Sequence, residues 1–461
     1  MRYRSRIKQC LCPRFLCVAL AGEWNCKKYI AEPAITVGGA ARAANWVGMT
    51  MPSSSLRIFL HDYTGHPPQV HVSRELARRG HKVLYAYAGM IETPRGNLAR
   101  QSSDPPGLDI VAVEIGGIFR KHSYFKRQLQ EIEYGHAVAR IADAFAPDIV
   151  IAGDTPLFPL NSLRRLARRR SAAFVFWMMD VYGLAVRDGL AKKLPLFSGS
   201  IGSFYIAFEK YLVRQSDQVV VISEGFRDML DHWGVRPERV DTLPLWAPLE
   251  DIPLRDKDNP WSRKHGLTST INVVYSGTLG LKHNPQHLVT LARRIAPRSD
   301  TRLLVISEGL GADFLKEQKE QLNLVNLEIM PYQPFSDLPD VLGSADILLV
   351  LLEPEAGIFS VPGKVLSHLC AGRPQVGLIP RENRASRVIN ESCGGIAIDS
   401  RCPDDFIDGV VRLIESPKKR AILGRNARAY AEREFDITRI AEVFERIITK
   451  PLRAAAPASK A

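Results

Sequence analysis

Twice along this chain, short aliphatic or β-branched runs alternate with stretches of helical period. That order leaves little room for anything but parallel sheets wrapped on both faces by helices. In the first series, strands are expected at 56–62, 82–88, 109–115, 148–153, 173–179 and 218–222. Helices are expected at 69–79, 124–145 and 158–170, and from a Ser223 cap to about His232. Between Pro244 and Pro260 the pattern gives way to proline and charge, which reads as a linker. It then resumes with strands at 271–276, 302–306, 326–330, 346–352, 375–379 and 395–398. Helices at 285–296, 312–322, 336–342, 362–371, 382–391 and 403–415 separate and follow them, and two more close the chain at 417–432 and 436–449. The fold class is therefore expected to be α/β, with two doubly wound Rossmann-like domains facing each other across a cleft. The first occupies 51–245 and the second 263–433, joined by a linker at 246–262. A C-terminal helix at 434–450 is expected to pack back toward the N-terminal domain, with a disordered tail at 451–461. Residues 1–50 share none of this periodicity and read as an extension, disordered or lying upstream of a true start near Met51.

Two strand-to-helix loops carry chemistry. In the stretch from Ser360 to Pro374, Val361-Pro362-Gly363-Lys364 opens a helix after the apolar run Ile347–Leu352. The free N–H groups of such a helix start, with roughly half a unit of positive dipole charge, favour an anion, and Lys364 adds a full charge. The second loop, Tyr275-Ser276-Gly277-Thr278-Leu279-Gly280, ends a β-branched strand and is followed by Lys282 and an Asn284-Pro285 helix start. Glycines there admit close approach of a diphosphate. Its spacing is neither that of a P-loop nor that of a dinucleotide fingerprint. Lying about 80 residues apart within one alternating unit, the two loops are expected to converge on a single ligand.

A formal net charge of +13 and a pI near 9.4 favour anionic partners, whether nucleic acid, acidic membrane or phosphorylated substrate. Arg164, Arg165, Arg168, Arg169 and Arg170 fall in one helical segment, and Lys192 and Lys193 follow in a Gly/Pro-rich stretch. They read either as a solvated face or as a peripheral contact with anionic lipid, made through Arg164, Arg165, Arg168 and Arg169. No apolar run is long enough to span a bilayer. Four of the seven cysteines, Cys10, Cys12, Cys17 and Cys26, crowd the N-terminus without metal-finger spacing. The reading is of a reducing, cytoplasmic compartment without a disulfide framework.

With Gly277-Thr278 and Lys282, the segment Ser360–Pro374, Gly65 before Leu76-Ala77-Arg78-Arg79-Gly80-His81, and Trp177-Met178-Met179-Asp180, the chain resembles family 4 glycosyltransferases of the GT-B architecture over about residues 55–450. It is most similar to the subgroup that builds colanic-acid-type and other bacterial surface polysaccharides. The resemblance implies a hexosyltransferase-type enzyme. Such an enzyme transfers a sugar from a nucleotide-diphosphate donor to a lipid-linked or saccharide acceptor, with retention and with neither metal nor cofactor. In that scheme Lys282 and the Gly277 and Thr278 amides neutralise the leaving diphosphate. The amides of Phe359, Ser360 and Val361, with Lys364, complete the clamp, and Gly65 lets the first loop approach the donor. Tyr332 and Gln333 stand where such enzymes hold the donor base, or simply form a surface loop. Asp180 orients the acceptor hydroxyl or acts as its base, or caps a helix. His66 is a further candidate for sugar contact. The family's pair of glutamates eight positions apart falls on Phe359 and Ser367, so a hydroxyl replaces the ribose-binding carboxylate, with Glu355 and Glu353 four and six positions upstream of Phe359 as possible substitutes. The one Asp-x-Asp triplet, Asp256-Lys257-Asp258, lies in the linker and is assigned no metal.

Two other functions fit parts of this pattern. A nucleotide-sugar epimerase would share the architecture and the phosphate loops. A basic nucleic-acid-binding protein would share the charge, although basic and aromatic residues do not interleave here. A nicotinamide-dependent oxidoreductase would need a GxGxxG, which neither half carries.

Overall fold

The computed structural model describes residues 55–455, apart from 92–94, 96, 117–123, 192–194, 281–282 and 355–360. The first half runs β1 (Arg57–Asp62), α1 (Pro67–Arg78), β2 (Lys82–Ala88), β3 (Leu108–Val113), α2 (Tyr124–Phe145), β4 (Ile149–Gly153), α3 (Leu157–Arg170), β5 (Ala173–Met178), α4 (Tyr182–Ala191), α5 (Pro195–Arg214), β6 (Gln218–Val221), α6 (Arg227–His232) and β7 (Val240–Thr242). The second runs α7 (Pro260–Lys264), β8 (Ile271–Ser276), α8 (Gln286–Ile295), β9 (Thr301–Ile306), α9 (Leu310–Gln321), β10 (Leu327–Met330), α10 (Leu338–Gly343), β11 (Ile347–Leu351), α11 (Gly363–Cys370), β12 (Gln375–Leu378), α12 (Arg384–Glu391), β13 (Gly395–Ile398), α13 (Pro403–Ile414), α14 (Pro417–Glu434), α15 (Ile437–Ile448) and α16 (Lys450–Ala455).

Both sheets are parallel and doubly wound. The first has the order β3-β2-β1-β4-β5-β6-β7 and the second β10-β9-β8-β11-β12-β13. Central strands read as unbroken apolar runs because helices cover both faces: Ile149–Gly153 and Ile347–Leu351 are buried at every position. In each sheet the direction of winding reverses once, between β1 and β4 in the first and between β8 and β11 in the second. Loops leaving the carboxyl ends of strands diverge at such a point and leave a crevice there.

One hydrophobic cluster runs through both halves. It joins Ile58, Val175 and Trp177 of the first sheet, Leu243, Trp246 and Ile252 of the connection, and Val350 and Val365 of the second half. It takes in Ala441, Phe444 and Ile448 of α15 as well. Trp177 is the hinge pin, its ring stacked on Trp246 at 6.0 Å and lying against Phe444 at 4.6 Å. Glu445 adds ion pairs to Arg79 (2.6 Å) and His81 (3.1 Å), so α15 returns to the end of α1 and lies beside it.

Some expectations are corrected. Tyr182–Ala191 and Pro195–Arg214 form two helices, α4 and α5, which the sequence reading did not assign. The tail is helical through Ala455 rather than disordered from Pro451. Ser223 stands at a helix start, but its side chain makes no capping bond. Cys370 and Cys402 are thiols, the first of them buried. Residues 1–54 lie outside the described residues. Among the described residues no helix is long and apolar enough to cross a membrane.

Candidate functional site

The winding reversal of the first sheet holds a cluster of charge. β1 ends in Asp62, which is fully buried. Its carboxylate accepts from the His66 amide (2.5 Å), the Tyr85 hydroxyl (3.0 Å) and the Thr64 amide (3.3 Å), folding Tyr63-Thr64-Gly65-His66 into a tight turn. Gly65 has φ +79, a conformation that favours glycine. β4 ends beside it, and Asp154, in a left-handed conformation at φ 42, accepts from the Thr64 hydroxyl at 2.9 Å. The His66 imidazole stands 3.6 Å from both Asp62 and Asp154.

Electrostatics follow from this packing. Burial works against charge on His66, but the Asp62 hydrogen bond and the charges of Asp62 and Asp154 prevail and raise it to about 9. Burial, with Asp62 and Asp180 nearby, lifts Asp154 to about 6 against the pull of His66. Burial would also lift Asp62, yet its bonds to His66 and Tyr85 and the His66 charge hold it below the usual carboxylate range. The ligand atoms of Asp62, His66 and Asp154 lie within 4.8 Å of one another, a spacing that could suit a cation. A protonated imidazole already stands among these carboxylates at neutral pH.

Of these groups Asp154 lines a cavity of about 290 Å³, together with Thr64, Arg127, Asp180, Tyr182 and Glu209. Asp180, just past the end of β5, is exposed, and its side chain accepts from the neighbouring Val181 amide (2.8 Å). The helix cap suggested for it is supplied by another residue. Glu209 of α5, wholly buried, accepts from the Tyr182 and Gly183 amides at 2.9 and 2.8 Å and closes the start of α4. Burial lifts its carboxyl to about 7 despite those two bonds. Sequence reasoning missed Asp62, Asp154 and Glu209. The first two were within reach, since each stands at the carboxyl end of an apolar strand. Glu209 gave no signal.

At the reversal of the second sheet, the turn after β8 and the start of α11 come together. Gly277, at φ +118, lies so close to Lys364 that a Cβ would stand 3.4 Å from its Cε and Nζ. The Lys364 ammonium sits 3.7 Å over the Tyr275 ring, a cation–π contact. The Tyr275 hydroxyl in turn donates to the Thr278 carbonyl (2.7 Å) and braces the turn. Ser367 is half-buried on α11, one turn beyond Lys364. Val361, just before that helix, packs on apolar residues of both halves and so lies where they meet.

Not every expected donor is available. The Gly277 amide continues the ladder to Ile306 O (3.0 Å) and the Gly280 amide is taken by His283 Nδ1 (3.0 Å), which leaves Thr278, exposed at the tip. Gln333 is committed to Trp261 Nε1 (3.1 Å) and Pro331 O (2.9 Å), while Tyr332 is partly exposed, with its amide held by Glu308 (3.0 Å). Glu353 pairs with His287 (3.3 Å). Asp258 of the linker triplet is exposed and paired with Arg263 (2.6 Å). Lys282, Glu355, Phe359 and Ser360 lie outside the described residues.

Residues 69–246 match the family model described as a glycosyl transferase 4-like domain, and residues 258–430 match glycosyl transferases group 1. The chain belongs to the family 4 glycosyltransferases. The epimerase and nucleic-acid alternatives fall with that result. The transferase is 24% identical over 296 residues, 63% of its own chain and 71% of the relative's, to the Escherichia coli (strain K12) protein named as colanic acid biosynthesis glycosyl transferase WcaI. In fold it is similar to Anabaena Alr3699/HepE, crystallised with UDP and glucose, at 14% identity and a TM-score of 0.63 over 86% of this chain and 100% of that one. WaaG, a glycosyltransferase involved in lipopolysaccharide biosynthesis, is similar at 17% identity and a TM-score of 0.61, over 85% of the transferase and 100% of WaaG. These neighbours share the GT-B arrangement of two Rossmann-like halves.

The arginine row of the transferase is largely engaged. Arg164 is buried, bonded to Asn161 (3.0 Å) and set over the Tyr211 ring. Arg169 and Arg170 pair with Asp143. Arg165 and Arg168 remain exposed.

Proposed function

We propose that the enzyme moves a sugar, with retention and without a metal, from a nucleotide-diphosphate donor to a lipid-linked or saccharide acceptor in bacterial surface polysaccharide synthesis. The observation that carries this reading is the contact of Lys364 with Gly277. A fixed ammonium beside a glycine turn and a helix start is a ready diphosphate site, and it lies at the winding reversal where α/β sheets take ligands. Lys364, Lys282, the Thr278 amide and the amides from Phe359 to the start of α11 stabilise charge on the departing diphosphate. Tyr332 borders the donor base, and Ser367 meets the ribose with a hydroxyl.

The acceptor occupies the cavity of the first half, with its hydroxyl oriented by Asp180 and Asp154. His66, held as an imidazolium by two carboxylates, supplies the positive charge there that a metal would otherwise bring. The names of relatives support the class of chemistry: colanic acid for WcaI, lipopolysaccharide for WaaG, and bound UDP-glucose for Alr3699/HepE.

A thermal-shift panel of nucleoside diphosphates and nucleotide sugars tests the donor site. One nucleotide is expected to raise Tm by several degrees at a hundredfold excess over Kd, where mass action contributes about 2.7 kcal/mol. Lys364→Ala and Lys282→Ala should each abolish most of that shift. No stabilisation by any member, or equal stabilisation of both variants, overturns the reading. With donor and acceptor in hand, the anomeric configuration of the product reports retention, and transfer undiminished by a chelator reports metal independence.

A further inference from the structure

The outer face of α5 is unusual for a solvated helix. A surface helix ordinarily carries charge on the side away from the core. Here the exposed positions from Gly199 through Tyr211 are glycine, serine, alanine, phenylalanine and tyrosine. Phe204 is 56% exposed and Tyr211 45%, and Phe204 stacks on Phe208 at 6.0 Å. Residues 204, 208 and 211 recur at the spacing that lines one helical stripe. The acid of this stretch, Glu209, is turned inward and fully buried at the start of α4.

At the C-terminal end of the same helix the stripe meets a basic hollow. A cavity of about 540 Å³ lies between α5 and the turn after α6, lined by Lys210, Tyr211, Arg214, Gly234, Arg236 and Arg239, with no acidic residue among its walls. Lys210, Arg214 and Arg239 have no carboxylate partner among the described residues, and Arg236 pairs only with exposed Glu238 at 3.4 Å. Phe204 and Arg214 are ten positions apart, about 15 Å along a helix. An aromatic stripe running into clustered, uncompensated cations is the composition of a helix that lies in a lipid–water interface.

We propose that this face, α5 from Phe204 to Arg214 together with the turn at 234–239, docks on an anionic phospholipid bilayer. Phe204, Phe208 and Tyr211 enter the head-group boundary, and Lys210, Arg214, Arg236 and Arg239 receive lipid phosphates. The contact differs from the one expected through the arginines of α3, of which Arg164 is buried and Arg169 and Arg170 are paired with Asp143. Charge complementarity selects the occupant. An anionic surface meets both the cations of the hollow and the excess positive charge of the chain, whereas a soluble phosphate would leave the aromatic stripe in water. The inner side of α5 borders the acceptor cavity through Glu209, so docking sets that cavity at a fixed height above the bilayer. The inference stands independently of the donor reading.

Sedimentation of the full chain with vesicles at about 0.1 M salt, where the screening length is about 10 Å, tests it. Vesicles containing phosphatidylglycerol should carry the protein down and pure phosphatidylcholine should not. At about fivefold per cation, the pair Arg214→Ser/Arg239→Ser should weaken binding more than tenfold. Arg214→Lys/Arg239→Lys should stay within about twofold of the parent, since Lys keeps the charge. Phe204→Trp gives a readout that needs no loss of binding: its emission should shift blue with phosphatidylglycerol vesicles and not with phosphatidylcholine. Failure to bind anionic vesicles, full binding by a folded Arg214→Ser/Arg239→Ser pair, or no emission shift overturns the proposal. So does release from the vesicles by millimolar inorganic phosphate at constant ionic strength, which would mark a pocket for soluble anions.

Discussion

Asp154 and Asp180 border the same cavity but stand in different surroundings, and that difference lets their roles be separated. Asp154 is held by Thr64 and faces the His66 imidazolium, on a left-handed backbone that aspartate adopts more readily than most residues. Asp180 is exposed, and among the described residues its side chain is bonded only to its neighbour's amide. A carboxylate that orients or deprotonates the acceptor hydroxyl contributes about 10² to 10⁴ in rate. Asp180→Asn is therefore expected to lower kcat at least about a hundredfold, with little change in donor KM. Asp154→Asn should also disturb the pairing of His66 and so shift the pH profile of kcat. Steady-state kinetics across pH distinguish the two; an Asp180→Asn enzyme of parental kcat would remove Asp180 from the reaction.

Among the elements, α4 depends on α5. The first amides of a helix have no partner within it, and here a single buried carboxylate from 27 positions away serves two of them. Glu209→Ala would leave both donors buried and unsatisfied, at about 1–3 kcal/mol each. We expect a loss of about 2–4 kcal/mol in denaturant unfolding, with Glu209→Gln losing less. The same residue gives a pH dependence of definite sign. Its folded pKa, about 7, lies above the unfolded value near 4.5, so the native state binds the extra proton between them. The Glu209 contribution is thus fully present below about pH 4.5 and is lost as pH rises toward 7. Asp154, raised to about 6, and His66, raised to about 9, work in the same direction over their own windows. Buried His61 and His368, lowered to about 4 and about 3, act with the opposite sign up to the unfolded histidine value near 6.5, so the Glu209 contribution is read as a difference: between pH 5 and 7 the parent should lose more stability, or gain less, than Glu209→Gln. Parallel stability curves for the two proteins would contradict this environment.

Across the whole molecule, the two halves are joined by shared apolar surface rather than by the connection alone. Trp177 of the first sheet lies between Trp246 of the connection and Phe444 of α15, all three almost wholly buried. Phe444→Ala opens a cavity at that junction and should cost about 3–5 kcal/mol. The tryptophans there should also become accessible to a soluble quencher before global unfolding, since the loosened contact is the one between halves. Coincident changes in quenching and in secondary structure would show instead that the molecule melts as one unit.

Local pattern was enough for much of this protein. The strands and most helices, the two-part architecture, and the pairing of the Gly277 turn with the Pro362–Lys364 helix start are legible because apolar period, glycine and proline act within a few residues of themselves. Helices α4 and α5 were not, since α5 from Gly199 to Phe208 carries small and apolar residues on its outer face as well as its inner one and so lacks the contrast that betrays an amphipathic helix. The charge cluster was hidden for another reason. Asp62 and Asp154 are 92 positions apart and meet only because the crossover sets β4 beside β1. In the same way the neighbouring strand decides that the Gly277 amide serves the ladder to Ile306, and a second helix decides that Glu209 caps the first. Sequence by itself determined which elements form and where their loops emerge. Only the tertiary structure decided which polar groups those loops leave available, because the choice rests on partners that chain order does not bring near.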